Sequence, residues 1–309
     1  MPCRSSQEDI ERRHLRPVTA TGGPAALLVA LIAAAAGGCG ADQEDRTAGS
    51  ASNHEPSVSE RWAEVGPARF FDGVEGTFVL LDPRSGESLV HDPERASTPF
   101  LPASTFKFPN TLIALETGVA EGPDFALEWD PERNPAQDWW PEGWAANQTL
   151  GTAFARSTVW FYQELARRVG TETMARQLAE IDYGNGDLSA GVDRFWLEGG
   201  FRVSAEDQVR FLRRFLAREL PLQPGTYETA RMVFAMEEGP GYRLSGKTGW
   251  VGFGDPEADQ LGWFVGYVER EEGAYPFALN MRMRSPEDGP RRMEIARAIL
   301  REVGLMGGG

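Results

Sequence analysis

At 309 residues, 41% hydrophobic and with a formal charge of −15, the chain has the apolar material for a substantial core, and its charge has the wrong sign for neutralising nucleic-acid phosphates. Its three histidines are His14, His54 and His91, and its two cysteines are Cys3 and Cys39, so the body is poorly supplied for histidine-ligated metals, Ser-His-Asp chemistry or a disulfide. Covalent catalysis, if present, falls to serine, threonine or lysine.

Residues 1–38 carry Arg4, Arg12, Arg13 and Arg16 and then the apolar run PAALLVALIAAAAGG, the order of a secretory signal peptide. The run is short for a membrane span and is followed by polar sequence. Its end, AAGGCG, resembles the lipobox of bacterial lipoproteins, with alanine where that box prefers leucine. This makes Cys39 the expected lipidation site, with an ordinary signal cleavage nearby as the alternative. The Arg12-Arg13 pair also fits a twin-arginine export signal. Residues 39–61 are nearly free of large apolar side chains and are expected to form a flexible tether. The folded body is then 62–309.

Within the body, GTFVLLDPRSGESLVHD predicts two strands joined by a turn around Pro83, Ser85 and Gly86. TFKFPNTLIALETG predicts a helix opening at Ser104 and closed by Gly118. DWWPEGWAANQTLGTAF reads as an aromatic loop region. TVWFYQELARRVG, ETMARQLAEI and SAEDQVRFLRRFLAREL have the apolar spacing of amphipathic helices. YRLSGKTGW, LGWFVGYVER and PFALNMRM predict strands, and PRRMEIARAILREV a closing helix. Strands at both ends with helices between them imply one mixed α/β body whose first and last segments share a sheet.

Ser104 and Lys107 are three positions apart, within about 60° of each other on a helix and about one turn apart. A serine needs a base, and a lysine near its ordinary pKa of about 10.4 cannot accept a proton. Lys107 lies between Phe106 and Phe108, and burial in such company favours the neutral amine. By itself the pair also fits a helix-capping serine followed by a solvated lysine. Lys247-Thr248-Gly249, between Ser245-Gly246 and Trp250, places a cation, a hydroxyl and a glycine on one strand, suited to a carboxylate-bearing ligand, and by itself also fits a glycine-punctuated turn.

The two motifs in this order are the joint mark of penicillin-binding proteins and serine β-lactamases. With Ser157-Thr158-Val159, Tyr183-Gly184-Asn185 and Trp196-x-x-Gly199, the set resembles the class D, or oxacillinase-type, serine β-lactamases over nearly the whole body. The resemblance implies the transpeptidase-like α+β fold, an antiparallel sheet built from N- and C-terminal segments beside a helical subdomain. It also implies hydrolysis of β-lactams such as penicillins and oxacillin, hence antibiotic resistance, by an exported periplasmic enzyme. A β-lactam sensor domain that acylates without turnover shares the fold and is the alternative. Such sensors belong to multi-span membrane proteins and usually carry asparagine where this chain has Val159.

Site roles follow from the same resemblance. Lys107 is the residue carboxylated by dissolved carbon dioxide to give the general base, Ser104 the nucleophile, Ser157 the residue that passes the proton to the lactam nitrogen, Lys247 the cation that favours this transfer and binds the substrate carboxylate, and Trp196 the donor to the carbamate. Thr248, Gly249, Trp250, Val159, Leu197 and Arg292 line the substrate site, with Arg291 the neighbouring candidate for the carboxylate. The backbone N–H groups of Ser104 and Trp250 form the oxyanion hole. No metal or other cofactor is implied. Tyr183 and Asn185 read as structural, and Tyr162, Trp139 and Trp250 as cleft-wall or core aromatics. Trp160 departs from the proline that many class D members carry after the valine. The β-lactam is the one small-molecule partner expected, a lipid anchor is the membrane contact, and the sequence does not choose between a monomer and a homodimer.

Overall fold

The computed structural model describes residues 56–253, 255, 260–285 and 287–307. The expected signal peptide, Cys39 and the first part of the tether lie outside the described residues. The last part of the expected tether does not behave as one. Helix α1 spans Val58–Val65 and is opened by a capping box in which Ser57 Oγ accepts from Glu60 N while the Glu60 carboxylate accepts from Ser57 N at 2.7 Å. Val58 and Val65 are buried, so one apolar stripe suffices to order a segment that otherwise looks polar.

Helix α2 (Ala68–Phe71) leads into β1 (Gly76–Leu81) and β2 (Ser88–His91), then α3 (Pro93–Ser97). A single 3-10 turn, Ala103–Phe106, precedes α4 (Lys107–Glu116). The short strands β3 (Ala126–Leu127) and β4 (Gln148–Thr149) flank the aromatic segment, and α5 (Leu150–Arg156), α6 (Val159–Val169), α7 (Thr171–Ile181), α8 (Ala205–Leu216) and α9 (Pro224–Phe234) follow. Strands β5 (Ala235–Gly239), β6 (Tyr242–Val251), β7 (Gln260–Arg270) and β8 (Gly273–Met283) precede the closing helix α10 (Asp288–Glu302). The sheet is six-stranded and antiparallel in the order β2-β1-β8-β7-β6-β5, with Thr77 opposite Asn280 where the first and last segments meet.

Both faces of this sheet are covered, which is why its central strands read as nearly continuous apolar runs. Along β7, Trp263, Val265 and Tyr267 enter one core with Val79 and Leu81 of β1, while Phe264 and Val268 enter a second with Phe78 and Leu80. Helix α8 lies against β1, β7 and β8 on the first side, and Ile295, Ala296 and Ile299 of α10 pack into the second. Each such side chain removed from water contributes about 1.5–3 kcal/mol before entropy is counted.

Helix α4 runs through the helical region against α6, α7 and α9, and residues 107–114 are all buried. A helix buried all round cannot show an amphipathic stripe, and its polar side chains need partners. Asn110 Nδ2 donates to Tyr162 O at 3.2 Å, and the Thr111 and Tyr162 hydroxyls meet at 2.9 Å.

Candidate active site

The helix expected to open at Ser104 is a 3-10 turn there, and α4 begins only at Lys107. Residues i and i+3 eclipse in a 3-10 turn, so Ser104 and Lys107 stand over one another on the same side of it. Lys107 Nζ is 2.9 Å from Ser104 Oγ. The turn is entered through Ala103, a buried residue at φ 47°, and Ala103 N donates to Trp196 O at 3.0 Å. Left-handed backbone at a non-glycine costs about 1–3 kcal/mol and persists only where surroundings enforce it.

Lys107 is fully buried, and burial holds its amine well below the ordinary lysine range, with the nearby charge of Lys247 adding to the effect. The flanking phenylalanines do different things. Phe106 stacks on Trp196 with ring centres 5.0 Å apart and meets Phe195 and Phe201 edge-on, while Phe108 packs against Phe154 and Phe234. The ring facing Nζ belongs to Tyr162, 5.2 Å away. Tyr162 is therefore part of the buried floor beside Lys107 and not a cleft-wall aromatic. Trp196 is also wholly buried, and its Nε1 has no hydrogen-bond partner among the described residues.

Above the turn is a cleft of about 610 Å³, a size suited to a small molecule. Ser104, Ser157, Val159, Leu197, Thr248, Gly249, Trp250 and Arg292 line it, together with Trp139, Trp144 and Arg156. Ser157 sits in the left-handed region at φ 61° between α5 and α6, which presents it and Val159 to the cleft from two helix ends. On the opposite wall β6 packs on the Ser104 turn because Gly249 has no side chain. A Cβ there would come within 2.9 Å of Pro102 O and 3.1 Å of Thr105 Cγ2.

Lys247 is buried, donates to Thr248 O at 3.1 Å, and is brought down to about 7 by burial and by the charge of Arg292. Arg292 donates to Gly249 O at 2.9 Å and lies over the Trp250 ring, and burial lowers it to about 10. Arg291 instead pairs with Asp288 at 3.1 Å, so of the two candidate arginines Arg292 is the one at the cleft. Among the described residues no group of three or more His, Cys, Asp or Glu side chains is placed to hold a metal ion.

Residues 76–301 match the penicillin binding protein transpeptidase domain. The chain is 36% identical over 237 residues to β-lactamase OXA-10 of Pseudomonas aeruginosa, covering 77% of this chain and 87% of that protein. It is 34% identical over 250 residues to β-lactamase OXA-48 of Klebsiella pneumoniae, covering 80% and 91%. The crystal structure of the class D β-lactamase YbXI from Nostoc superposes with a TM-score of 0.72 at 37% identity, covering 78% of this chain and 99% of that one.

The chain belongs to the class D β-lactamases.

Membership in this family of hydrolases of the β-lactam amide bond accounts for the motifs, but part of the site carries no motif. Under the Ser104 turn, Gln208 Nε2 donates to Thr105 Oγ1 at 2.8 Å, Thr105 Oγ1 donates to Pro102 O at 2.7 Å, and Tyr183 OH donates to Gln208 Oε1 at 3.0 Å. This buried relay ties the Tyr-Gly-Asn segment to the turn. Asn185 closes the neighbouring loop, its Nδ2 donating to Gly200 O and its Oδ1 accepting from Arg202 N. At the class D departure, Trp160 Nε1 donates to Trp144 O at 2.7 Å and Trp144 Nε1 donates to Arg156 O at 2.9 Å, so two indoles fasten the aromatic segment to α5 and α6. Gln208 was invisible in sequence as one polar residue in an amphipathic helix, and Arg156 as a charge ending one.

Proposed function

We propose that this class D β-lactamase opens its substrates through an acyl-enzyme on Ser104, with Lys107, carboxylated by carbon dioxide, as the base for both halves of the reaction. What supports this most is the fully buried Lys107 amine 2.9 Å from Ser104 Oγ, together with the Nε1 of the buried Trp196, which has no partner among the described residues. An amine bonds to carbon dioxide only when uncharged, and burial supplies that form. When the carbon dioxide is bound, with one proton lost from nitrogen, it supplies an anionic oxygen pair able to take the Ser104 proton. An indole N–H without a partner fits such an anion, and an apolar floor excludes competing water.

Ser104 Oγ then attacks the lactam carbonyl carbon while the N–H groups of Ser104 and Trp250 face the developing oxyanion. The C–N bond breaks, and Ser157 gives its proton to the departing nitrogen while taking back the proton that the base removed from Ser104. Lys247 and Arg292 hold the substrate carboxylate through charge-assisted hydrogen bonds, beside Thr248, which with Arg292 lines the cleft. Water subsequently cleaves the ester on Ser104, returning the serine. The test is turnover of benzylpenicillin or oxacillin by purified protein, with and without bicarbonate. Stoichiometric acylation that never turns over would favour the sensor reading instead.

The localisation we propose is the periplasm, with Cys39 lipidated as a membrane anchor. The charged and apolar leader ending in AAGGCG supports it. Radiolabelled fatty acid is expected in the wild-type protein and absent from Cys39→Ser, and equal labelling of both rejects the anchor.

A further inference from the structure

Two guanidiniums line the cleft, those of Arg156 and Arg292, and they are not equivalent. Arg292 belongs to the sheet side, as does Lys247, buried on β6 beside the lining Thr248, and each already donates to a strand carbonyl. Arg156 stands on the helical side, immediately before Ser157, and makes no ion pair among the described residues. Two acids also line the cleft, Asp255 and Glu198, and Glu198 is committed to Arg194 at 2.7 Å. Arg156 is exposed, yet its backbone is fixed, since its carbonyl accepts the Trp144 indole, and its guanidinium lies over Gly143, where a Cβ would sit 3.6 Å from Cζ.

The shape of a bicyclic β-lactam decides what reaches this wall. Its ring carboxylate lies on one side of the lactam and its acylamino substituent on the other, beside the carbonyl. With the carbonyl at Ser104 and the carboxylate turned to Lys247 and Arg292, the acylamino group projects toward the wall that carries Arg156.

We propose that Arg156 selects β-lactams whose acylamino side chain bears an anionic group of its own, a carboxylate or sulfonate. This rests on the β-lactamase reading above and narrows its substrate class. A chain of charge −15 repels a dianionic substrate in bulk, so one unpaired guanidinium at the point of entry offsets a penalty that a monoanion feels less. Because the side chain is exposed, its effect is screened by salt and is a matter of selectivity more than of rate.

The test is the ratio of kcat/KM for carbenicillin to that for benzylpenicillin, molecules that differ by one side-chain carboxylate, in wild type, Arg156→Ala and Arg156→Lys at low and high salt. The ratio is expected to fall about threefold to tenfold in Arg156→Ala, chiefly through the carbenicillin KM, with most of it retained in Arg156→Lys. High salt is expected to move the wild-type ratio toward that of Arg156→Ala. A ratio unchanged in Arg156→Ala, or lost to the same extent in Arg156→Lys, overturns the proposal. Failure of the wild-type enzyme to turn over benzylpenicillin would strike the β-lactamase reading itself.

Discussion

The two walls of the cleft are built on different principles. The sheet wall is a backbone ladder: β6 pairs with β7 from Arg243 to Val251, Gly249 admits the strand to the Ser104 turn, and Arg292 reaches in across Gly262, where a Cβ would lie 3.3 Å from its Cδ. The helical wall is made of helix ends and an aromatic segment fastened by single indole hydrogen bonds. A ladder fixes which residue types fit at each position, whereas a set of pinned loops keeps its shape through many side-chain combinations. In the proposed reaction, capture of the substrate carboxylate belongs on the first wall and discrimination between side chains on the second, which also carries Ser157.

The largest effect tests what both walls serve. Lys107→Ala removes the proposed base, and deacylation is expected to slow by about 10³-fold in stopped-flow acylation and turnover assays. On the sheet wall, Gly249→Val forces β6 off Pro102 O, and kcat/KM is expected to fall by about 100-fold with the protein still folded, since shifts near 1 Å in a reacting geometry have that cost. Beneath the turn, Gln208→Leu leaves Thr105 and Tyr183 without their shared partner. It is expected to destabilise the protein by about 1–3 kcal/mol in urea unfolding and to lower kcat more than it changes KM.

On the helical wall, Trp160→Phe keeps an aromatic volume but drops the bond to Trp144 O. A loss of about 0.5–1.5 kcal/mol is expected, with KM changes that differ from one β-lactam to another. If kcat for every substrate fell equally instead, the division of labour between the walls would be wrong. The smallest effect concerns pH. Lys247 near 7 loses its charge as pH rises through that value, so kcat/KM is expected to decline on the alkaline side, while kcat declines later because the bound carboxylate holds the proton on. Since the unfolded lysine titrates near 10.4, the unfolded chain binds more protons between these values, and Lys247 makes stability rise with pH over that window.

The same contrast explains what could be read before folding. Ser104, Lys107 and Lys247-Thr248-Gly249 were legible only jointly, through the order of two motifs that carry the family resemblance, since each alone also fits a capping serine or a glycine-punctuated turn. The shared sheet of first and last segments was legible from period and order. Helix α3 was not, being one turn set by Asp92 and Pro93, nor α9, whose PGTYETARMVF has weak helix formers held by packing. The 3-10 geometry at Ser104 was missed because its sequence looks like an ordinary helix start. Tyr162 could not be assigned to the floor rather than the wall, since a buried ring facing Nζ is a long-range fact that joins α4 to α6.

The central claim is that Lys107 works as a base only because burial keeps its amine uncharged and open to carbon dioxide. Its most direct test is turnover of benzylpenicillin by enzyme freed of carbon dioxide, followed by addition of labelled bicarbonate under NMR observation. The account expects one round of acylation and then a stall, with turnover restored as a lysine carbamate signal grows, and no such signal in Lys107→Ala. Full steady turnover in the absence of carbon dioxide would contradict it.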